Sequence, residues 1–96
     1  MAITIEIPSA LRLHSRGSAV VIIDTHGQSC ESVGAALGAL ESQYPGVLDR
    51  VMTEEGDLRP HVNVFVDGEN SRFADGLSTP IRDPATITIL AAISGG

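Results

Sequence analysis

The sequence contains no lysine, and its six cations are all arginines, against twelve aspartates and glutamates. We therefore expect the amino terminus to be its one primary amine, which makes the chain a poor acceptor for acyl transfer to lysine. The formal net charge of −6 argues against binding to nucleic acid or to an anionic membrane. It favours a basic or apolar protein partner.

Cysteine is nearly absent too, since Cys30 is the single one. One cysteine excludes an intramolecular disulfide framework and any multi-cysteine metal or iron–sulfur site. A thiolate just before a helix can be stabilised, but a redox role for Cys30 is the weaker interpretation. The three histidines are scattered over predicted loops and a strand start, so no Ser/His/Asp or Cys/His constellation is indicated. We predict no catalytic residues and no metal site.

Long apolar runs are missing as well. Runs such as Ala19 to Ile23 are far too short to span a membrane, and the residues after Met1 lack the basic region and apolar core of an export signal. We therefore expect a cytoplasmic protein. A length of 96 residues suits one domain, and a hydrophobic fraction of 43% predicts a folded chain.

Two strands and a helix are predicted in the first half. Residues 3–7 alternate β-branched apolar and polar side chains, which is typical of a half-buried strand that Pro8 ends. The apolar run Ala19 to Ile23 predicts a second strand, and the short polar turn between the two favours an antiparallel hairpin.

The helix is predicted over residues 33–43, with an apolar stripe at helical spacing. Its residues are Val33, Ala36, Leu37, Leu40 and Tyr44. Ser32 is a suitable N-cap, and Tyr44-Pro45-Gly46 ends the helix. Gly34 and Gly38 inside it indicate close approach to a sheet.

In the second half, residues 47–52 are predicted to form a short helical turn and residues 53–60 an acidic solvated loop. The carboxylates of this loop are adjacent and lack the spacing of a calcium site. Residues 62–66 alternate as a strand, and Asp67-Gly68 predicts a hairpin turn. Arg72-Phe73 is predicted as a short return strand. Core anchors are expected at Phe73, Leu77 and Ile81, and a last strand is predicted over residues 86–91.

This order predicts an α+β protein of the ubiquitin-like β-grasp fold, with a mixed sheet of four to five strands on one main helix. We assign residues 1–90 to the domain and residues 91–96 to a flexible tail ending in Gly95-Gly96. Terminal glycines add no stability to a domain, because they lose the most backbone entropy on ordering and bury no side chain. The tail is therefore predicted to be the functional part.

The sequence resembles the bacterial ubiquitin-like sulfur carriers of the MoaD/ThiS family over nearly its whole length. The matching residues are Ser32-Val33-Gly34, Leu40, Tyr44-Pro45-Gly46, residues 62–66, Arg72-Phe73, Gly76-Leu77, Thr79, Ile81, Thr88-Ile89-Leu90, Ala92-Ile93 and Gly95-Gly96. The stretch from Asn63 to the end is most similar to the CysO branch, which carries sulfur to cysteine biosynthesis.

The resemblance implies that the Gly96 carboxylate is the sulfur-carrying group. An E1-like enzyme of the MoeB/ThiF type would adenylate it with ATP, and a sulfide or persulfide source would convert it to a thiocarboxylate. No cofactor is expected on the chain itself. The small tail residues Ala92, Ile93, Ser94 and Gly95 would thread the partners' active sites, where a Cβ on the terminal glycines would collide with the channel walls.

A docking surface is predicted on the sheet face away from the helix. Neighbours on a strand point to opposite faces, so Phe65 and Leu90 should face outward and contact the activating enzyme. The alternative is that Phe65 packs under a loop of its own chain.

Three functions remain open from the sequence. The preferred one is a sulfur-donating co-substrate whose acceptor enzyme is cysteine synthase-like, thiazole synthase-like or molybdopterin synthase-like, or makes a natural product such as a thiosugar. The second is a ubiquitin-like modifier joined through Gly96 to target lysines. The third is a plain β-grasp interaction module.

Overall fold

The computed structural model describes residues 2–24, 32–82 and 84–91. Within them the chain forms five strands, two α-helices and three short 3-10 segments. The strands are β1 (Ala2–Glu6), β2 (Val20–Asp24), β3 (Val62–Val66), β4 (Glu69–Asn70) and β5 (Ala85–Ala91). The helices are α1 (Val33–Gln43) and α2 (Pro45–Val51), and the 3-10 segments are Ser9–Ser15, Ser71–Phe73 and Gly76–Ser78.

The strands form one mixed sheet in the order β2-β1-β5-β3-β4. The first and last strands, β1 and β5, run parallel at its centre, and the other pairs are antiparallel. This confirms the β-grasp fold and the β1–β2 hairpin. The connection in that hairpin is a 3-10 helix, not the polar turn that the sequence indicated, and its Leu11 is buried.

The core lies between one face of the sheet and the two helices. Alternate residues of β1, β3 and β5 face this core, and Ile3, Ile5, Ile87 and Ile89 among them are fully buried. The predicted stripe of α1 covers them, with Val33, Ala36, Leu37 and Leu40 buried and Tyr44 packed at the edge. Helix α2 contributes Val47, Leu48 and Val51 to the same core, so this segment is a full second helix and not the brief turn expected.

The helix boundaries follow local chemistry. Ser32 is the N-cap, because its hydroxyl accepts a hydrogen bond from the Ala35 N–H at 3.1 Å. Pro45 ends α1 and also occupies the first turn of α2, where its missing N–H costs nothing. A Cβ on Gly34 would lie 3.2 Å from the Leu77 carbonyl oxygen, whereas one on Gly38 would meet nothing within 4 Å. Gly34 therefore lets α1 lie close to the segment at Leu77 and not to the sheet. Close approach does not explain Gly38.

Two predictions for the second half were wrong: the position of the return strand and the anchoring role of Phe73. Asp67 and Gly68 both have positive φ, at 49° and 91°, which makes a two-residue turn and pairs Val66 with Glu69. The return strand is therefore Glu69–Asn70, and Arg72-Phe73 belongs to a 3-10 segment. Because the chain has already left the sheet, Phe73 is 86% exposed instead of anchoring the core.

The other two predicted anchors contact the core: Ile81 is buried and Leu77 packs at the edge. No helix among the described residues has the length and apolarity needed to cross a membrane.

Candidate functional site: the outer sheet face and the end of β5

Strand β5 leads to the predicted tail from the centre of the sheet. It extends to Ala91, which pairs with Val62, so the strand includes the first residue that we assigned to the tail. The predicted sulfur-carrying residue Gly96 and the threading residues Ala92, Ile93, Ser94 and Gly95 lie outside the described residues. The division between domain and tail at residue 90 therefore stays a prediction.

The structure places Phe65 and Leu90 on the same outer sheet face. Their strand neighbours Val64 and Ile89 are fully buried on the opposite face. Leu90 is 49% exposed, whereas Phe65 is half-buried. The ring of Phe65 is thus partly covered by its own chain and partly exposed, and the docking role of both residues stays a prediction.

The outer face carries further apolar side chains that the sequence analysis missed. Val20 and Ile22 of the edge strand β2 are each about half exposed. They belong to a continuous apolar run, in which periodicity cannot separate the inward from the outward side chains. The signal that could have placed them on the outer face was the pairing with β1. Ile22 lies opposite Thr4 and Val20 opposite Glu6, and Thr4 and Glu6 are the polar positions in the clear alternation of β1.

A groove of about 280 Å³ connects Val20 to Leu90. It opens because β1 ends at Glu6, two residues before Pro8, so the last residues of β5 have no β1 neighbour. Arg12 and Glu6 line it; the Nε of Arg12 donates to the Ile7 carbonyl at 3.1 Å. The groove thus combines an apolar wall with one guanidinium and one carboxylate beside the end of β5.

On the other side of Leu90 lies a polar network of three side chains. Asn63, directly opposite Leu90 on β3, accepts hydrogen bonds at its Oδ1 from Asn70 Nδ2 at 3.2 Å and from Arg72 Nε at 3.1 Å. The backbone N–H of Arg72 in turn donates to Asn70 Oδ1 at 3.0 Å. The Asn70 amide is held at both ends and the Asn63 oxygen accepts two hydrogen bonds, so the network fixes the corner between β3 and the 3-10 segment Ser71–Phe73.

Catalytic groups do not converge in the part of the chain that the structure describes. No cluster of three His, Cys, Asp or Glu side chains that could hold a metal ion occurs there. His14 lies beside Gly46 of α2, and His61 precedes β3 and is exposed. Cys30 and His26 lie outside the described residues.

Comparisons with known proteins agree with this architecture. The ThiS family model matches residues 21–96. The chain is 38% identical to the sulfur carrier protein CysO of Mycobacterium tuberculosis over 98 aligned positions that cover all of both chains.

Solved structures are similar as well. One is the BexX/CysO complex of Amycolatopsis orientalis, with a TM-score of 0.84 and 35% identity over 99% of this chain and all of the matched one. Another is small archaeal modifier protein 1 of Haloferax volcanii, with a TM-score of 0.82 and 26% identity over all of both chains. The chain therefore belongs to the ThiS family, which confirms its resemblance to the ubiquitin-like sulfur carriers.

Proposed function

We propose that this protein is a sulfur carrier whose Gly96 carboxylate is the reacting group. The observation that supports this most directly is the family match, which extends to residue 96 and therefore includes the Gly95-Gly96 pair. The alignment with a sulfur carrier also covers the relative's full length. By this proposal the protein is a co-substrate, and the chemistry is performed on it by partner enzymes.

The reaction has two steps on the Gly96 carboxyl group. A carboxylate is a poor electrophile, so an E1-like enzyme first transfers AMP from ATP to it and releases pyrophosphate. A sulfide, or a persulfide sulfur that is afterwards released by reduction, then attacks the carbonyl carbon and displaces AMP. The resulting thiocarboxylate sulfur is a nucleophile, which a biosynthetic enzyme can transfer to its own substrate.

Two kinds of partner follow from this scheme. The first is an adenylating enzyme of the MoeB/ThiF type, which we propose docks on the outer face at Phe65 and Leu90. The second is a sulfur-accepting enzyme of the cysteine synthase-like, thiazole synthase-like or molybdopterin synthase-like class. A solved complex of BexX with CysO supports the idea that a relative of this chain binds another protein through this fold.

The test is intact mass spectrometry after incubation with the host's E1-like enzyme, ATP and sulfide. We expect the mass increase that corresponds to exchange of one oxygen for sulfur, located at the terminal glycine by fragmentation. A variant that lacks Gly95-Gly96 is the control and should remain unmodified. A wild-type chain that is never adenylated, or a truncated chain that still gains sulfur, would contradict the proposal.

The modifier function is kept as the second candidate because the chain is also 34% identical to small archaeal modifier protein 3 of Haloferax volcanii, over 65 positions that cover 68% of this chain and 70% of that protein. A modifier would form an amide between Gly96 and a lysine of another protein. Mass spectrometry of digested host extract separates the two, because only conjugation yields a branched peptide in which a target lysine carries residues 83–96, the segment after Arg82 that ends in Gly95-Gly96.

A further inference from the structure

Within residues 2–24, 32–82 and 84–91, the end of β5 pairs with a single neighbouring strand. On its first side, the parallel pairing with β1 runs from Ala85 to Thr88 and stops. On its second side, β3 pairs with Ile87 through Ala91. In the described part of the chain, residues 89–91 therefore have strand contacts only with the beginning of β3, at Val62 to Val64.

The residue pairs of β3 and β5 that exchange backbone hydrogen bonds can be assigned. Asp67 N–H donates to the Thr86 carbonyl at 2.9 Å, and bonded pairs alternate along an antiparallel ladder. Asn63 and Leu90 are thus a bonded pair, whereas Val62 directs its backbone groups away from β5. In agreement, the Val62 N–H donates instead to the Arg59 carbonyl at 3.0 Å.

Among the described residues, no strand pairs with the beginning of β3 on the side away from β5, because the two-residue β4 pairs only with Phe65 and Val66. The side chain of Arg72 takes the place of the missing strand. Its Nη2 donates to the carbonyls of Val62 at 2.9 Å and Pro60 at 3.3 Å, and its Nε donates to Asn63 Oδ1 at 3.1 Å. A planar guanidinium can reach three acceptors in one rigid arrangement, which a lysine ammonium on a flexible stem does not reproduce.

We infer that Arg72 is a positioning residue for the carboxyl-terminal reaction: by holding the beginning of β3, it holds Leu90 and Ala91 and so sets where the tail leaves the domain. The inference rests on the proposed function, because it assigns Arg72 to the presentation of Gly96. A displacement of about 1 Å at a reacting group can lower a rate by about 100-fold, so a loosened strand end should slow the chemistry. Arg72 itself is exposed, and its loss should leave the buried core intact.

The first experiment measures amide hydrogen exchange on the isolated protein, with Arg72→Ala, Arg72→Lys and the control Arg50→Ala. Arg50 in α2 is also exposed, and its one side-chain hydrogen bond within the described part of the chain is to the Gly46 carbonyl of its own helix, at 3.4 Å. In Arg72→Ala, amide exchange at Asn63 and Leu90 should accelerate by about tenfold or more. The strand end can then open without breaking the hydrogen bonds of the Arg72 side chain, so local opening costs less free energy. The Ile5 and Val21 amides of the β1–β2 ladder should be unchanged in all variants.

The second experiment measures adenylation by the host's E1-like enzyme as ATP–pyrophosphate exchange, with the carrier as the varied substrate. Arg72→Ala should lower kcat by about tenfold and change KM by less than about twofold, with Arg72→Lys intermediate. A variant that is merely less folded would show the opposite, since a smaller folded fraction raises apparent KM at unchanged kcat.

The inference is overturned if Asn63 and Leu90 exchange at the wild-type rate in Arg72→Ala, or if they exchange faster while kcat stays at the wild-type value. Failure of the proposed function is recognised separately, because then the wild-type chain itself is not adenylated. The exchange experiment needs no enzyme and still decides whether Arg72 holds the end of β5.

Discussion

Phe65 and Leu90 occupy diagonal positions on the outer sheet face, since Phe65 lies opposite Thr88 and Leu90 lies opposite Asn63. Diagonal neighbours in a sheet are separated by about 7–8 Å, within reach of large side chains. The two predicted docking residues can therefore contact one partner side chain together, which makes their contributions to binding coupled.

Replacing Leu90 with alanine should raise the KM for the E1-like enzyme by about tenfold, because a central apolar contact contributes at least about 1–2 kcal/mol to an interface. Phe65→Ala should act in the same direction, and the double variant should be less than additive. Leu13→Ala is the matched control, since Leu13 is 87% exposed on the 3-10 segment Ser9–Ser15. Unchanged kinetics for the folded Leu90→Ala variant would exclude this docking surface.

Neighbouring positions on β5 should separate stability from binding. Ile89 is fully buried and Leu90 is 49% exposed. Ile89→Ala should lower the free energy of unfolding by about 2–5 kcal/mol through lost burial and a cavity, and Leu90→Ala by less than about 1 kcal/mol. Urea denaturation measures both, and similar losses at the two positions would contradict the assigned faces.

The N-cap of α1 gives a third prediction. Ser32→Ala removes the acceptor of the Ala35 N–H and should lower the free energy of unfolding by about 1 kcal/mol. Ser42→Ala, at an exposed position inside the same helix, should leave it unchanged or raise it slightly, because alanine is the better helix former. Thermal denaturation of both variants is sufficient, and equal effects would rule out the cap.

The two glycines of α1 should respond differently to alanine. Gly38→Ala should raise the free energy of unfolding by up to about 1 kcal/mol, since the added Cβ meets open space. Gly34→Ala should gain less or lose stability, because its Cβ would lie 3.2 Å from the Leu77 carbonyl oxygen. Chemical denaturation gives the comparison, and an equal or larger gain at Gly34 would show that the loop at Leu77 yields without cost.

Periodic segments were predictable from sequence because their signal is local. The alternation of residues 3–7 and the stripe of α1 each reflect one buried face, and the structure reproduces both. The outward position of Leu90 followed from the same rule. Family resemblance supplied the proposed role of Gly96, which neither periodicity nor composition contains.

The errors occurred where the environment is decided by distant contacts. Phe73 is a large apolar residue, and only the position of the two-residue β4 shows that the chain has left the sheet before it. Val20 and Ile22 could not be told from Val21 and Ile23, because an uninterrupted apolar run has no alternation to read.

The sequence by itself determined the four longer strands, the capped helix, the acidic lysine-free composition and the family, because these depend on neighbouring residues and composition. Tertiary structure decided what holds the end of β5. Arg72 reaches Val62 across ten positions of sequence and Pro60 across twelve, and its role exists only because β4 is too short to cover β3. That arrangement is set by strand pairing and loop path, which no local pattern encodes.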